Sequence, residues 1–269
     1  MNFHLKIGVY ILIFVFLFSF ILPFFYAKNP FTIDLSNDLA SPSFEHPLGT
    51  DDFGRDVLAR LIYGGRVSLG IGLIVILISS VIGTIIGAFS GYFGGIVDEI
   101  LMRIVDIFLS FPGILLALTL ISFLGNSIAN LILALSLMGW VSYARLSRGI
   151  SLKVKEEDFV FAEKALGASD FYIIIKHILP FVIPTIIIQA SLGISAVIIA
   201  ETGLSFLGLG VPITYPSWGN MIDTGRNLIL THPILLIYPS FLLMLTVIGF
   251  NYLGEGLRQL LLSKKERYF

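Results

Sequence analysis

Long apolar segments alternate with polar segments along this chain. A run of about twenty apolar residues can cross the hydrocarbon core of a bilayer as a helix. Six segments meet this requirement: 6–26, 68–90, 100–124, 126–146, 181–205 and 233–256. The pattern predicts an all-α integral membrane protein with six transmembrane helices. We divide it into an N-terminal helix with an external segment, 1–67, and a five-helix transmembrane domain, 68–269.

Composition supports this fold class. The chain is 56% hydrophobic and 13% charged, whereas soluble domains carry about 25% charged residues. The first apolar run could also be a signal peptide, because Lys6 precedes it. Its length, Pro23 and the lack of an A-x-A-like exit favour a retained span.

The distribution of basic residues predicts the orientation. An even number of spans puts both termini on one side of the membrane. With both termini cytoplasmic, the inside receives twelve Lys and Arg residues and the outside five, as the positive-inside rule requires. The external segments are then 27–67 and 206–232, and the main cytoplasmic segment is 147–180.

The sequence contains no recognisable catalytic motif. It has no G-x-x-x-x-G-K-[ST], G-x-S-x-G or H-E-x-x-H. Cysteine is absent and the four histidines have no metal-ligand spacing. The net charge of −1 gives no indication of nucleic-acid binding. We therefore expect a protein that is not an enzyme, without a metal site, a bound cofactor or a nucleic-acid partner.

The cytoplasmic segment predicts a pair of short helices. Residues 155–166 are rich in helix formers, and Gly167 can adopt the left-handed conformation that ends a helix. Ser169 is a predicted N-cap, Asp170 favours the start of the next helix, and that helix would stop near 178, before Pro180. A simple connector between two spans is the alternative. The cytoplasmic segment is longer than thirty residues, whereas connections in helical bundles usually have about two to eight, so its length favours a docking element for a soluble protein.

The same segment resembles the EAA loop of ABC-importer permeases, E-A-A-x3-G-x9-I-x-L-P. Ala162, Gly167, Leu179 and Pro180 match. Phe161 stands in place of the Glu, Glu163 in place of the second Ala, and His177 in place of the Ile. The resemblance implies that this loop couples the chain to an ATPase. The residues to which we assign that role are Phe161, Ala162, Glu163, Gly167, Ala168, Ser169, Leu179 and Pro180.

Two further stretches resemble the second permease of dipeptide, oligopeptide and nickel importers. One is HPLGTDDFGRDVLAR, residues 46–60; the other is LSFLGLG, 204–210, followed by PSWGN, 216–220. The resemblance implies a type I importer fold, a homologous sister permease, an external substrate-binding protein and two ATPase subunits that bind ATP and Mg. Peptides are the expected cargo, and nickel, a nickel chelate or, in some relatives, oligosaccharides are alternatives.

Several external residues are candidates for binding-protein contact or for an external gate: Asp51, Asp52, Arg55, Asp56, Glu201, Gly208, Gly210 and Trp218. By itself, the 46–60 stretch has turn chemistry, and Asp56 can cap a helix or pair with Arg60. Glu201, near the end of a span, either lines a vestibule or is a hydrogen-bonded acid that fixes the adjacent loop.

Three features inside the spans remain open. Pro112 and Gly113 predict a kink in the third span that serves either as a gate or as static packing. The ridge Gly83-x3-Gly87-x3-Gly91 predicts close helix contact, within the chain or with a sister subunit. Glu99, Arg103 and Asp106 share a helix face as an interfacial charge cluster rather than a proton relay. A stand-alone secondary transporter is a remote alternative, because no internal repeat is visible. An assembly protein is equally remote, because it would not need the cytoplasmic protrusion and the two motif-rich external segments.

Overall fold

The computed structural model describes the backbone of residues 3–265 and the side chains of residues 3–261. The described chain is helical apart from its loops, with a single isolated β-bridge between Thr50 and Asp56. In chain order the helices are α1 Phe3–Phe16, α2 Val57–Phe93, α3 Gly95–Leu109, α4 Gly113–Leu124, α5 Ile128–Val154, α6 Asp158–Ala165, α7 Asp170–Ile173, α8 Leu179–Phe206, α9 Trp218–Asn227 and α10 Ile234–Lys265.

Among the residues that the structure describes, five continuous spans are long and apolar enough to cross a membrane. They are Phe3–Phe24, Val57–Phe93, Ile128–Val154, Asp170–Phe206 and Ile234–Leu261. The predicted span 100–124 is instead the pair α3 and α4, which meet at an angle of 83°. Counting this bent pair as one span gives the six that the hydropathy pattern predicts, so the all-helical fold class is confirmed.

The interruption of the third span is a break and not the predicted kink. Helix α3 ends at Leu109, and Pro112 is the N-cap of α4 instead of an interior helix residue. The carbonyl of Pro112 accepts bonds from the amides of Leu115 and Leu116, 3.0 and 3.2 Å away. Proline is tolerated at a helix start because its missing N–H has no intrahelical partner there. Two separate helices result.

The glycine ridge of α2 packs within the chain, against α5. A Cβ added at Gly83 or Gly87 would overlap the carbonyl oxygen of Trp140 or Ala144. At Gly91 the added carbon would lie 2.7 Å from the carbonyl oxygen of Arg148. The two helices therefore run parallel with their backbones in close contact, which only glycine permits. This answers the open question of where the ridge packs.

The remaining contacts place the chain's two described ends together. Gly256 of α10 packs on Leu5 of α1, and Gly249 packs on Leu12, so α1 and α10 are antiparallel. Helix α8 is antiparallel to α10, with Gly254 against Leu192. One end of the bundle, called here the short-helix end, thus carries residues 3, 93, 154–178 and 265. The opposite loop end carries 25–56 and 207–233. The predicted boundary at residue 67 lies within α2.

Candidate functional site

The short-helix segment is built around a glycine turn. After α6, Gly167 has φ +86°. Its amide donates to the carbonyl of Lys164, and the amide of Ala168 donates to the carbonyl of Glu163, both at 3.1 Å. These two bonds form a Schellman motif, which satisfies helix-end carbonyls. The predicted helix-ending role of Gly167 is therefore confirmed in geometry.

Helix α7 begins at the predicted cap. The Ser169 hydroxyl accepts a bond from the amide of Tyr172 at 3.3 Å, and Asp170 occupies the first turn. The helix does not stop before Pro180, so that prediction is wrong. A π-turn, Ile174–Ile178, leads directly into α8, and Leu179 bonds back to the carbonyl of Ile174. Because Pro180 lies in the first turn of α8, the wider π-turn accommodates it, and Asp170–Phe206 forms one rod.

The outer surface of this segment is apolar and exposed. Phe161, Leu166 and Phe171 are 59%, 84% and 63% exposed, and Ala162 is exposed beside them. The inner surface is anchored instead, because Val160 packs with Ile173 in the core. Ala168 lies in the turn and Leu179 is half-buried at the base. Such a surface fits a groove on another protein.

Two departures from the EAA pattern lie next to each other. The Glu163 carboxylate lies 3.5 Å from Nε2 of His177. Glu163 is on α6 and His177 is in the π-turn, so the pair bridges the two arms of the segment. The separate departures in the sequence are thus one contact in space. Sequence reasoning also missed Tyr92 of α2, whose hydroxyl bonds to Asp170.

At the loop end, Asp51 organises the 46–60 stretch. Its carboxylate accepts the amides of Phe53 and Arg55 at 3.0 and 2.9 Å. It also pairs with Nε of Arg55 at 2.8 Å and with Nε of Arg60 at 3.2 Å. Arg60 therefore pairs with Asp51 and not with Asp56, so pairing with Arg60, one of the two roles considered for Asp56, is not the one observed. Asp51 is buried, so it shapes the loop from within.

Asp56 is the N-cap of α2, the other role considered for it. Its Oδ1 accepts the amide of Ala59 at 2.7 Å. Its Oδ2 accepts the hydroxyl of Tyr26 at 2.7 Å and lies 2.8 Å from Nδ1 of His46. Burial, followed by the hydrogen bond to Asp56, raises the pKa of Tyr26. Because Asp56 caps α2, the helix begins at Val57, before the predicted membrane span 68–90.

Glu201 and Trp218 are fully buried, so neither faces a docked protein in this structure. The Glu201 carboxylate accepts the hydroxyls of Ser205 at 2.8 Å and Ser68 at 3.2 Å. Ser68 in turn accepts the amide of Trp218 at 3.3 Å, and the Trp218 indole donates to the carbonyl of Leu61 at 3.1 Å. Glu201 is thus the hydrogen-bonded acid that fixes the adjacent loop, the second of its two predicted roles.

The other predicted residues occupy varied positions. Gly208 is exposed with φ +76°, and Gly210 is buried against the backbone of Ser205. Asp52 and Arg55 are partly buried. Pro112 and Gly113 are exposed at the α3–α4 break. Arg103 pairs with Glu99 at 3.9 Å, and Asp106 is exposed on the same helix. The interfacial position of this cluster stays a prediction.

Comparison with known families decides what kind of protein carries this arrangement. The family model described as binding-protein-dependent transport system inner membrane component matches residues 83–267, more than half of the chain. The chain belongs to this family. It is a permease component of an ABC transporter and a multi-pass membrane protein, which confirms the resemblance read from the motifs.

Named relatives extend the match toward the N-terminus. The permease is 40% identical over 261 residues to the dipeptide transport system permease protein DppC of Bacillus subtilis, covering 97% of this chain and 82% of that one. It is 39% identical over 226 residues to DppC of Alkalihalophilus pseudofirmus, covering 84% and 74%. The glutathione transport system permease protein GsiD of Shigella dysenteriae is 39% identical over 235 residues, covering 87% and 77%.

Proposed function

We propose that this chain is the subunit through which a binding-protein-dependent ABC importer moves di- and oligopeptides. The relatives named above are described as permeases for dipeptides and for glutathione, itself a small peptide. Nickel or a nickel chelate is the second candidate cargo, and it rests on motif resemblance alone. The chain itself performs no hydrolysis. ATP and Mg bind to separate ATPase subunits.

In this proposal the short-helix end faces the cytoplasm and the loop end faces outward. The basic residues favour this orientation. Because α1 and α10 are antiparallel neighbours, the two described ends of the chain lie at the short-helix end. Both termini are then cytoplasmic, and residues 25–56 and 207–233 face the external binding protein.

One observation carries the coupling role. An exposed apolar surface on α6 and α7 is fixed to a helical rod that runs without a break from Asp170 to Phe206. A soluble ATPase that binds Phe161, Leu166 and Phe171 and changes conformation therefore moves α8 directly. ATP binding would swing the spans so that the pathway opens outward, and hydrolysis would return them.

A homologous sister permease supplies the other half of the pathway. Helices α3 and α4 support this pairing because they expose many apolar side chains, including Ile100, Ile107, Leu115 and Phe123. The break at Pro112 lies in this exposed pair. We assign Pro112 and Gly113 to the interface or gate between the two permeases.

The test is co-expression of the chain with the ATPase, permease and binding-protein genes beside it. Co-purification followed by mass spectrometry should recover a sister permease and ATPase subunits. In proteoliposomes, ATP should drive uptake of labelled Ala-Phe but not of labelled nickel. Nickel uptake without peptide uptake would transfer the assignment to nickel. Recovery of the chain alone after cross-linking would contradict the coupling role.

A further inference from the structure

A cavity of about 530 Å³ opens between the first loop and the segment that contains α9. It is separate from the short-helix end and from the glycine-packed core. Small-molecule sites have volumes of roughly 300–1,000 Å³, so the cavity can hold a whole small molecule. A single side chain from a docked protein would fill only part of it.

The walls of the cavity are held in place by bonds within the chain. The Asn220 side-chain amide donates to the carbonyls of Val211, Pro212 and Tyr215, at 2.9, 3.2 and 3.1 Å. On the facing wall, the ring of Phe31 packs edge-on against Tyr63 and Tyr215, 5.2 and 6.1 Å between centroids. The cavity is therefore formed before any ligand enters.

One carboxylate oxygen at the cavity lacks a hydrogen-bond donor. Oδ1 of Asp52 is buried and accepts no hydrogen bond, and the nearest cation, Nη2 of Arg55, lies 3.7 Å away. Burial, together with the neighbouring charge of Asp51, raises the pKa of Asp52. Oδ1 itself is closed to solvent, but the Asp52 side chain as a whole is 31% exposed, so its carboxylate can pair with an ammonium group on its accessible side.

The cavity lining carries both charges, with Arg55 and Arg60 beside Asp52 and Asp223. The guanidinium groups of Arg55 and Arg60 both pair with the carboxylate of Asp51, and Arg55 also lies 3.7 Å from Asp52. A ligand carboxylate can share these guanidinium groups, because arginine presents several donors. Phe31, Phe53 and Ile213 supply apolar walls between the charged groups.

We propose that this cavity binds a short zwitterionic peptide, with its ammonium group at Asp52 and its carboxylate at Arg55 and Arg60. The site would take cargo at the loop end before the pathway opens. This inference rests on the proposed function, because it assumes that peptides reach the loop end. It assigns to the permease a peptide site of its own, in addition to any site on the binding protein.

The test uses the purified complex, without binding protein and without ATP, and isothermal titration with Ala-Phe. Asp52→Asn should weaken binding at least about tenfold, the loss expected for one charge-assisted hydrogen bond, and Asp52→Glu should restore part of it. Asp38→Asn, an exposed acid of the same loop, is the matched control and should bind as wild type. N-acetyl-Ala-Phe and Ala-Phe amide should each bind more weakly than the free peptide.

Equal binding by wild type and Asp52→Asn, or by the free and N-acetylated peptide, overturns the proposal. So does an Asp52→Asn variant that binds free peptide normally but loses affinity for the binding protein, because the cavity would then receive a lysine of that protein. Co-purification of the ATPases with each variant verifies assembly. A wild-type complex that imports peptide but does not bind it here would refute only this site, whereas a complex that imports no peptide would refute the proposed function.

Discussion

The hydroxyl of Tyr92, in the last turn of α2, donates a hydrogen bond of 2.6 Å to Oδ1 of Asp170, the first residue of α7. The two residues are far apart in sequence but adjoin a cleft of about 260 Å³ at the short-helix end. Lys164 of α6 lies 3.9 Å from the same carboxylate oxygen. The α6–α7 segment is therefore attached to the bundle through α2 as well as through α8.

Tyr92→Phe removes this bond and keeps the ring, which is nearly buried. A hydrogen bond to a charged group contributes about 1.5–3 kcal/mol, so the segment should be held less firmly. We expect fewer peptides imported per ATP hydrolysed, with ATPase activity retained, when both rates are measured in the same proteoliposomes. Tyr172→Phe, at an exposed ring of the same segment, is the control. Unchanged coupling in Tyr92→Phe would show that α8 alone transmits the motion.

Substitutions at Gly167 test the effect of backbone conformation alone, because a side chain added there would not collide with other atoms. Nothing lies within 4 Å of a Cβ added there, but its φ is +86°. Gly167→Val should therefore strain the turn by about 1–2 kcal/mol and lower uptake relative to ATPase activity while membrane insertion stays normal. Gly167→Asn, which tolerates the left-handed region, should retain most coupling. Equal behaviour of the two variants would contradict this explanation.

Gly87 tests the packing of α2 on α5. An added Cβ would overlap the carbonyl of Ala144, which belongs to the backbone and cannot rotate away. Gly87→Ala should destabilise the protein by about 1–3 kcal/mol, as overpacking does, and lower its thermal unfolding temperature in detergent. Gly70→Ala, in the same helix with nothing within 4 Å of the new carbon, should not lower the unfolding temperature, because alanine is the better helix former. A stable Gly87→Ala variant would require a looser α2–α5 contact.

Glu201 tests how the loop end is held. Glu201→Leu leaves the hydroxyls of Ser68 and Ser205 without their acceptor, at a cost of about 1–3 kcal/mol for each buried group. Hydrogen exchange should become faster in residues 205–220, measured by mass spectrometry. Glu99→Leu, at an exposed glutamate of α3, should leave that segment protected. Unaltered exchange in Glu201→Leu would mean that Trp218 alone anchors the loop.

Asp52 predicts an unusual pH dependence. Its pKa is raised in the folded protein, by burial first and then by Asp51. A raised carboxylate pKa means that the charged form destabilises the fold above that pKa, and the penalty disappears as the pH falls towards the ordinary value. Asp52→Asn should therefore unfold at a higher temperature than wild type at pH 7, with the difference shrinking in acid. A difference between Asp52→Asn and wild type that stays constant from pH 7 into acid would contradict this explanation.

Hydropathy was sufficient to predict the helical fold, because long apolar runs have few alternatives. It could not distinguish a kink from a break at Pro112, since proline is compatible with both. The presence of Pro180 also predicted a helix end before that residue, where a π-turn lets the helix continue. These outcomes depend on local backbone geometry that residue types do not determine.

The residues of the candidate site also fall into those whose roles the sequence predicted and those whose contacts it could not predict. Gly167 and Ser169 act on neighbours a few residues away, so their roles followed from the sequence. The contacts of Glu163 with His177 and of Tyr92 with Asp170 depend on how elements fold back on each other. The partner of the glycine ridge and the burial of Glu201 likewise required the packing of whole helices.

The rod from Asp170 to Phe206 has 37 residues, which at 1.5 Å per residue is about 55 Å. A body of that length acts as a lever. If it pivots near its midpoint, a tilt of about 10° displaces each tip by roughly 5 Å, from the same geometry. Its far tip holds Glu201, which is bonded to Ser68 of α2. A displacement of the Asp170 end therefore moves the Phe206 end, at the opposite face of the membrane, by a similar distance in the opposite direction.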